Sequence, residues 1–319
     1  WRLRAIDSAT ESIDIQTFLW SNDTAGTLVL DHLVTAADRG VRVRILIDDT
    51  FLLSEDEALL ALQQDHPNIE YRIYNPYKRR TSGFFSRQVL NLGEFQRLDH
   101  RMHNKALVID NRIAIVGGRN IADEYFGLHP VANFRDMELL AGGPIVRDIG
   151  GAFDNYWNDP WCFPIDGISH LTASTVKLEA MLSPKDNSIH VHSEESESAT
   201  KERWLRLQKR AFNGRAKLYV DEPPVANPSE RGHSYGVVAK ELLALFNESK
   251  QDVLIISAYL IPSRELERAV QQAVARGVEV RILTNSIGSN NHLTAHAAYR
   301  NHIGELLQHG AALHEVRTD

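Results

Sequence analysis

Apolar residues along the chain switch between two periodicities, and the same succession of patterns occurs twice. Residues 13–19, IDIQTFL, form a short β-prone run. Leu28, Leu30, Leu33, Val34 and Ala37 then recur at helical spacing, and residues 41–47, VRVRILI, return to strand character. The order repeats with VLIISAYL at 253–260, RELERAVQQAVARG at 264–277 and VEVRIL at 278–283. Each helical stretch stops on Arg-Gly, at Arg39-Gly40 and Arg276-Gly277, where glycine supplies the left-handed residue that ends a helix. Strand, helix, strand in that order predicts a right-handed βαβ unit with parallel strands. Two copies predict an α/β fold of two lobes related by pseudo-twofold symmetry, each a mixed, largely parallel sheet flanked by helices. The expected boundaries are a first lobe over 1–182, a linker or insertion over 183–235, and a second lobe over 236–319. The middle stretch is rich in Ser, Glu, Pro and Gly, with one helix expected near Trp204.

A third pattern, RMHNKALVIDNRIAIVGGRN at 101–120, reads as a hairpin. His103 and Lys105 are two apart at the head of its first strand and so share a face. A turn at Asn111-Arg112 returns Gly117, Gly118 and Asn120 toward them. The glycines admit close approach of a phosphate to the backbone. Ile121 to Phe126 is expected to begin a helix whose N-terminus faces the same spot. Imidazole can attack phosphorus or protonate a leaving oxygen. A lysine and an asparagine can hold non-bridging oxygens. Together these are the parts of a phosphodiester site.

Composition narrows the setting. With 319 residues, 43% hydrophobic and 24% charged, the chain reads as a globular protein of two domains. Its net charge of -7 argues against coating nucleic acid by bulk electrostatics, though not against a local basic pocket. Cys162 is the one cysteine, which excludes an internal disulfide and a cysteine-rich zinc site. No apolar run approaches about 18 residues, so no membrane-spanning segment is expected. His190 and His192, in a Ser/Glu-rich stretch, read as a solvated loop and not as metal ligands. The chain opens on Trp1, so its natural N-terminus is expected to lie upstream.

HxKxxxxD followed by GGxN resembles the HKD motif of the phospholipase D superfamily. The extended form through Phe126 is similar to the bacterial cardiolipin synthase branch, in particular its C-like members. The likeness extends to IDIQTFLW with Asp23 and Gly26, to RGVRVRILIDD, HPNIEYRIYNP, FRDMELLAGGPIV and the YWN of Tyr156 to Asn158. It continues through TNSIGSNNHLTAHAAYRNHIGELLQHGAALHE. The resemblance implies that His103 is the nucleophile or its acid partner, with Lys105 and Asn120 on the phosphate. It makes Asp110 the carboxylate of the catalytic motif, bonding near the turn more than touching substrate. Asp136 would orient a catalytic imidazole, with Glu138 on the same strand face. Tyr259 and Pro262 would wall the site, and His296 would help line it.

The reaction so implied is phosphatidyl transfer through a phosphohistidine. The phospholipid substrates would be phosphatidylglycerol and a second phospholipid, the product cardiolipin, and the place the bacterial membrane, by peripheral contact. No metal or organic cofactor is expected, because Lys105 supplies positive charge. Hydrolysis with water as acceptor, a nuclease, and a non-catalytic lipid-binding protein are the alternatives, nucleic acid being the less expected substrate. The family pairs two such motifs. His103 follows Gly40 by 63 residues, and the same offset from Gly277 falls near position 340, past Asp319. The chain is therefore expected to be a fragment, nearly inactive as a monomer unless two copies share their histidines.

Upstream of the motif, Lys78, Arg79, Arg80 and Arg87 alternate with Phe84, Phe85, Val89 and Leu90. Basic and large apolar residues together suit anionic lipid, with Arg79, Arg80, Phe84 and Phe85 as membrane-facing candidates. The same mixture suits a nucleic-acid backbone, or a loop folded over the core.

Overall fold

A computed structural model of the chain describes residues 1–50, 56–80, 89–91, 95–98, 100–185, 197–223 and 236–317. Phe84, Phe85, Arg87, His190 and His192 lie outside the described residues. Contacts divide the chain into two units, one taking Trp1–Leu218 and the other Tyr219–Asp221 with the described residues from Gly236 on.

The first unit opens with α1 (Arg2–Asp7), β1 (Ser12–Thr17), α2 (Thr24–Asp38), β2 (Arg42–Asp48), α3 (Asp56–Asp65) and β3 (Ile69–Tyr74). Then come β4 (Ala106–Ile109), β5 (Ile113–Gly117), β6 (Glu138–Gly142), α4 (Ile145–Trp157), β7 (Cys162–Pro164), α5 (Thr175–Leu182) and α6 (Glu197–Arg210). Its sheet has the order β6-β5-β4-β1-β2-β3-β7. The crossovers make β1, β2 and β3 parallel, with Ile13 opposite Val43 and Val43 opposite Ile69. β4, β5 and β6 add one edge and β7 the other, all antiparallel to their neighbours. The parallel part therefore forms the middle of a mixed sheet.

The apolar runs of β1 and β2 follow from burial on both faces. Ile13, Ile15, Val43, Ile45 and Ile47 pack with Leu33 of α2 and Leu62 of α3. On the other face Leu46, Tyr74 and Met102 pack with Phe153 and Trp157 of α4. Helix α6, expected near Trp204, sets that indole against the first core and 5.2 Å from the Trp1 ring.

The second unit contains α7 (Val237–Glu248), β8 (Asp252–Ile256), α8 (Arg264–Ala275), β9 (Glu279–Asn285), α9 (Leu293–Arg300), α10 (Ile303–Gln308) and β10 (Ala312–Val316). Its three strands are parallel in the order β10-β9-β8. The repeat is visible atom for atom at the helix stop. Gly40 and Gly277 have φ of 93° and 86°, and Val41 and Val278 donate their amides back to Ala36 and Ala273. Val270, Ala273, Val280 and Ile282 form the core on one face of the small sheet, while Leu254 and Ile256 are exposed on the other. Among the described residues no helix is long and apolar enough to cross a membrane.

Candidate active site

The candidate chemistry gathers at the carboxyl ends of the parallel strands, where β1 runs out into Phe18. The hairpin register pairs Ala106 with Val116, which brings Gly117 to the level of Lys105. β4 begins only at Ala106, so His103 and Lys105 stand in the extended approach to it. Lys105 is buried and donates from Nζ to the His103 carbonyl oxygen at 2.7 Å. The Phe18 ring touches both groups. Its centroid is 4.7 Å from the His103 ring and 5.3 Å from Lys105 Nζ. Sequence reasoning missed Phe18; its position directly after the first strand was the available signal.

Electrostatics then separates the two groups. Burial, helped by the neighbouring Lys105 charge, lowers the His103 pKa to about 4, although the residue as a whole is exposed. Burial lowers Lys105 to about 8, against the opposing pull of Asp136 and Asp48. At neutral pH the site holds a neutral imidazole beside an ammonium.

Asp136 sits against Gly118, where a Cβ would fall 2.5 Å from either carboxylate oxygen, so a larger residue there would displace the carboxylate. Its carboxylate accepts the Met137 amide at 2.7 Å. Among the described residues the expected hydrogen bond from His103 to Asp136 is not formed, and Asp136 acts on Lys105 through charge instead. Glu138, the alternative on that strand, is taken up by an ion pair with buried Arg2. At Gly117 a Cβ would meet the Met137 carbonyl oxygen at 2.4 Å.

Asn120 is buried, and its carboxamide is mostly committed to the fold. Its Oδ1 accepts from Leu19 N at 3.2 Å and Thr17 Oγ1 at 3.5 Å, and its Nδ2 donates to Tyr125 Oη at 2.7 Å. One Nδ2 hydrogen remains for a ligand. The expected helix after Ile121 is a single 3-10 turn, Asp123–Tyr125, too short to gather amide donors on an anion. Asp123 is drawn into a different arrangement, donating its amide to Asp23 Oδ2 at 2.8 Å while its Oδ1 accepts from Ala25 N at 2.7 Å.

Asp110 lies away from the chemistry. The turn centres on Asp110-Asn111, one residue earlier than expected, with φ of 51° and 52° and Arg112 N donating to Ile109 O at 2.9 Å. That is the type I′ geometry favoured in two-residue hairpins. The Asp110 carboxylate accepts from Thr10 N, Thr10 Oγ1, Glu11 N and Ser12 N at 2.8–2.9 Å. Burial alone would raise its pKa, but those donors hold it below the usual range. Asp110 anchors the hairpin tip to the start of β1 and has no place among the reacting groups.

A second carboxylate unmarked by sequence reasoning positions the motif. Asp48, fully buried at the end of β2, accepts from Thr50 N at 2.9 Å, Thr50 Oγ1 at 2.5 Å, Met102 N at 2.9 Å and Arg101 at 3.4 Å. Burial raises its pKa, opposed by Arg101 and these donors. The residue before His103 is thereby fastened to the sheet. Asp49 beside it accepts Tyr77 N and, with Asp56, an ion pair from Arg80. Arg80 is therefore not a membrane-facing cation: its guanidinium is almost enclosed between two carboxylates. Arg79, Val89 and Leu90 are exposed.

In the second unit, Tyr259 donates to Asn291 Oδ1 and meets the His292 ring edge-on at 5.1 Å. His296 is buried one helical turn beyond His292, with Nδ1 lacking a partner among the described residues.

The family model described as "Cardiolipin synthase, PLD-like domain" matches residues 3–157 and 242–319. The chain is 30% identical to Cardiolipin synthase C of Escherichia coli (strain K12), over 99% of this chain and 66% of that protein. It is 31% identical to an uncharacterized protein of Helicobacter pylori (strain J99 / ATCC 700824), over 100% of this chain and 63% of the other. The chain thus spans about two thirds of the length of these relatives. The crystal structure of phosphatidylserine synthase from Haemophilus influenzae Rd KW20 superposes with a TM-score of 0.58 at 16% identity, covering 91% of this chain and 60% of that one, a likeness of fold. By the extent of the family match and the motif at its centre, the chain belongs to the cardiolipin synthase PLD-like domain family of the phospholipase D superfamily.

Proposed function

We propose that this chain carries the nucleophilic half of a phospholipid phosphatidyltransferase, with His103 as the group that takes up the phosphatidyl unit. The observation that carries the reading is a neutral imidazole on an exposed residue whose own carbonyl holds a buried ammonium at 2.7 Å. A ring nitrogen of His103 forms a P–N bond while the P–O bond to the first alcohol breaks, that oxygen taking a proton from a second acid. A hydroxyl of the acceptor lipid then forms the new P–O bond, giving its proton to the base left by that second acid; the P–N bond breaks, and His103 returns to its neutral form. Lys105, and the remaining Nδ2 hydrogen of Asn120, hold the non-bridging oxygens, whose charge grows in the transition state. Asp136 keeps Lys105 protonated, and Asp48 holds His103 in line. Water in place of the acceptor gives hydrolysis by the same steps.

The resemblance to cardiolipin synthases supports phosphatidylglycerol as donor and a second phospholipid as acceptor. The test is to incubate the full-length protein with phosphate-labelled phosphatidylglycerol, quench in alkali, and map the label. Alkali-stable, acid-labile label on His103, absent from His103→Gln and absent when labelled single-stranded DNA replaces the lipid, is the expected result. Label on another residue, or consumption of DNA alone, overturns it.

A further inference from the structure

Helix α6 and the coil after it have no part in the site. From 201 to 217 the sequence reads KERWLRLQKRAFNGRAK, seven basic residues against one acidic, in a chain whose net charge is -7. Trp204 faces inward onto the first core. Lys201, Leu205 and Lys209, spaced four apart along one stripe of the helix, are exposed, as is Arg210. Arg206 pairs with Glu202 at 3.3 Å on the same outer surface. The helix is followed by Phe212, 97% exposed, then by exposed Arg215. A phenylalanine so fully in water contributes nothing to the core, and Leu205, at 48% exposure, adds to the same apolar surface.

We propose that α6 and residues 211–217 form a docking surface for an anionic lipid bilayer. Cations at headgroup level and an aliphatic-aromatic pair among them are what an interfacial segment requires. The positive charge is local, so it acts within a Debye length of the bilayer while the net negative charge of the rest is screened. A nucleic-acid strand would use the cations and could stack on Phe212, but it has no use for Leu205.

The surface stands apart from the chemistry proposed at His103, and either reading can fail alone. The experiment measures co-sedimentation of the protein with phosphatidylcholine vesicles, with and without phosphatidylglycerol. The variants are Lys201→Gln/Lys209→Gln/Arg210→Gln together, Phe212→Ser, and His103→Gln. Binding should require phosphatidylglycerol. Each cation contributes roughly fivefold near an anionic surface, so the triple variant should bind on the order of a hundredfold more weakly. Phe212→Ser should weaken binding severalfold without touching the fold, because the side chain packs on little, and His103→Gln should bind normally. Equal binding by the triple variant, or equal binding to pure phosphatidylcholine, overturns the proposal. So does a preference for single-stranded DNA that the same substitutions abolish.

Discussion

Replacing Asp110 separates the structural part of the motif from its chemistry. The carboxylate accepts four hydrogen bonds at 2.8–2.9 Å, three of them from backbone amides. In Asp110→Asn one oxygen becomes an amide nitrogen that cannot accept, so two of the four donors lose their partner. Asparagine keeps the left-handed φ of 51° accessible, so no backbone strain is added. Buried charge-assisted bonds contribute about 1.5–3 kcal/mol each; near the surface about 1 kcal/mol each is reasonable, giving a loss of about 2 kcal/mol. Asp110→Ala removes all four acceptances and adds left-handed strain of about 1 kcal/mol, for a total of about 4–5 kcal/mol. Asp110→Gly recovers the strain alone. The sign with pH follows from the depressed pKa. The stabilisation is fully present above the unfolded value of about 3.9 and is lost as pH falls through the lower folded value, so parent and Asp110→Asn should converge in acid. Urea denaturation followed by circular dichroism at neutral and acid pH measures both. At about 3.3 Å per residue, the seven-residue step from Asp110 to His103 is roughly 20 Å, so turnover per folded molecule should change little. A urea midpoint equal to the parent's, or a hundredfold rate loss in folded Asp110→Asn, would refute the anchoring role.

The titrations of Lys105 and His103 set the pH profile of the free enzyme. Activity should fall as pH rises through about 8, where Lys105 loses its proton, and fall again toward about 4, where His103 gains one. A flat rate against pH between about 7 and 9 would contradict the lysine's part. Phe18→Ala opens the ring's packed side to water, so the His103 pKa should move back toward 6.5, read by NMR titration; no movement would mean that Phe18 is not what desolvates it. Asp48→Ala strands the Met102 amide and Arg101 and should cost about 3–5 kcal/mol. Asp48→Asn keeps one acceptor and should lower kcat more than it raises KM; the reverse split would place Asp48 in substrate binding. Phe84→Ala with Phe85→Ala should weaken vesicle binding if that stretch meets lipid, and unchanged binding would leave the membrane contact to α6.

The βαβ repeat and the hairpin were legible because both rest on period and punctuation: strand alternation, helical spacing and the Arg-Gly stop survive in any environment. What escaped was decided by partners distant in sequence. Asp48 and Asp49 end an apolar strand and look like ordinary strand-end carboxylates. Their work is set by Met102, Arg101 and Arg80, brought there by folding. Arg80 read as a surface cation for the same reason, since nothing local announces Asp49 and Asp56 around it. At Asn120 the motif marks the residue but not its ties to the fold: Thr17 and Leu19, at and just after the end of β1, take up its Oδ1, and one Nδ2 hydrogen is left for a ligand.

The bonds from Asp123 N to Asp23 and from Ala25 N to Asp123 tie the stretch after Phe18 to the stretch after Asn120. Ser21 N also donates to Ile121 O, and Ile121 N to Leu19 O. Neither stretch can swing without carrying the other, so this side of the site resists prying. Ligands of different girth must then be met by rotation of the Phe18 ring or by shifts elsewhere. Selection for a bulkier headgroup would act on single side chains before it acted on loop length.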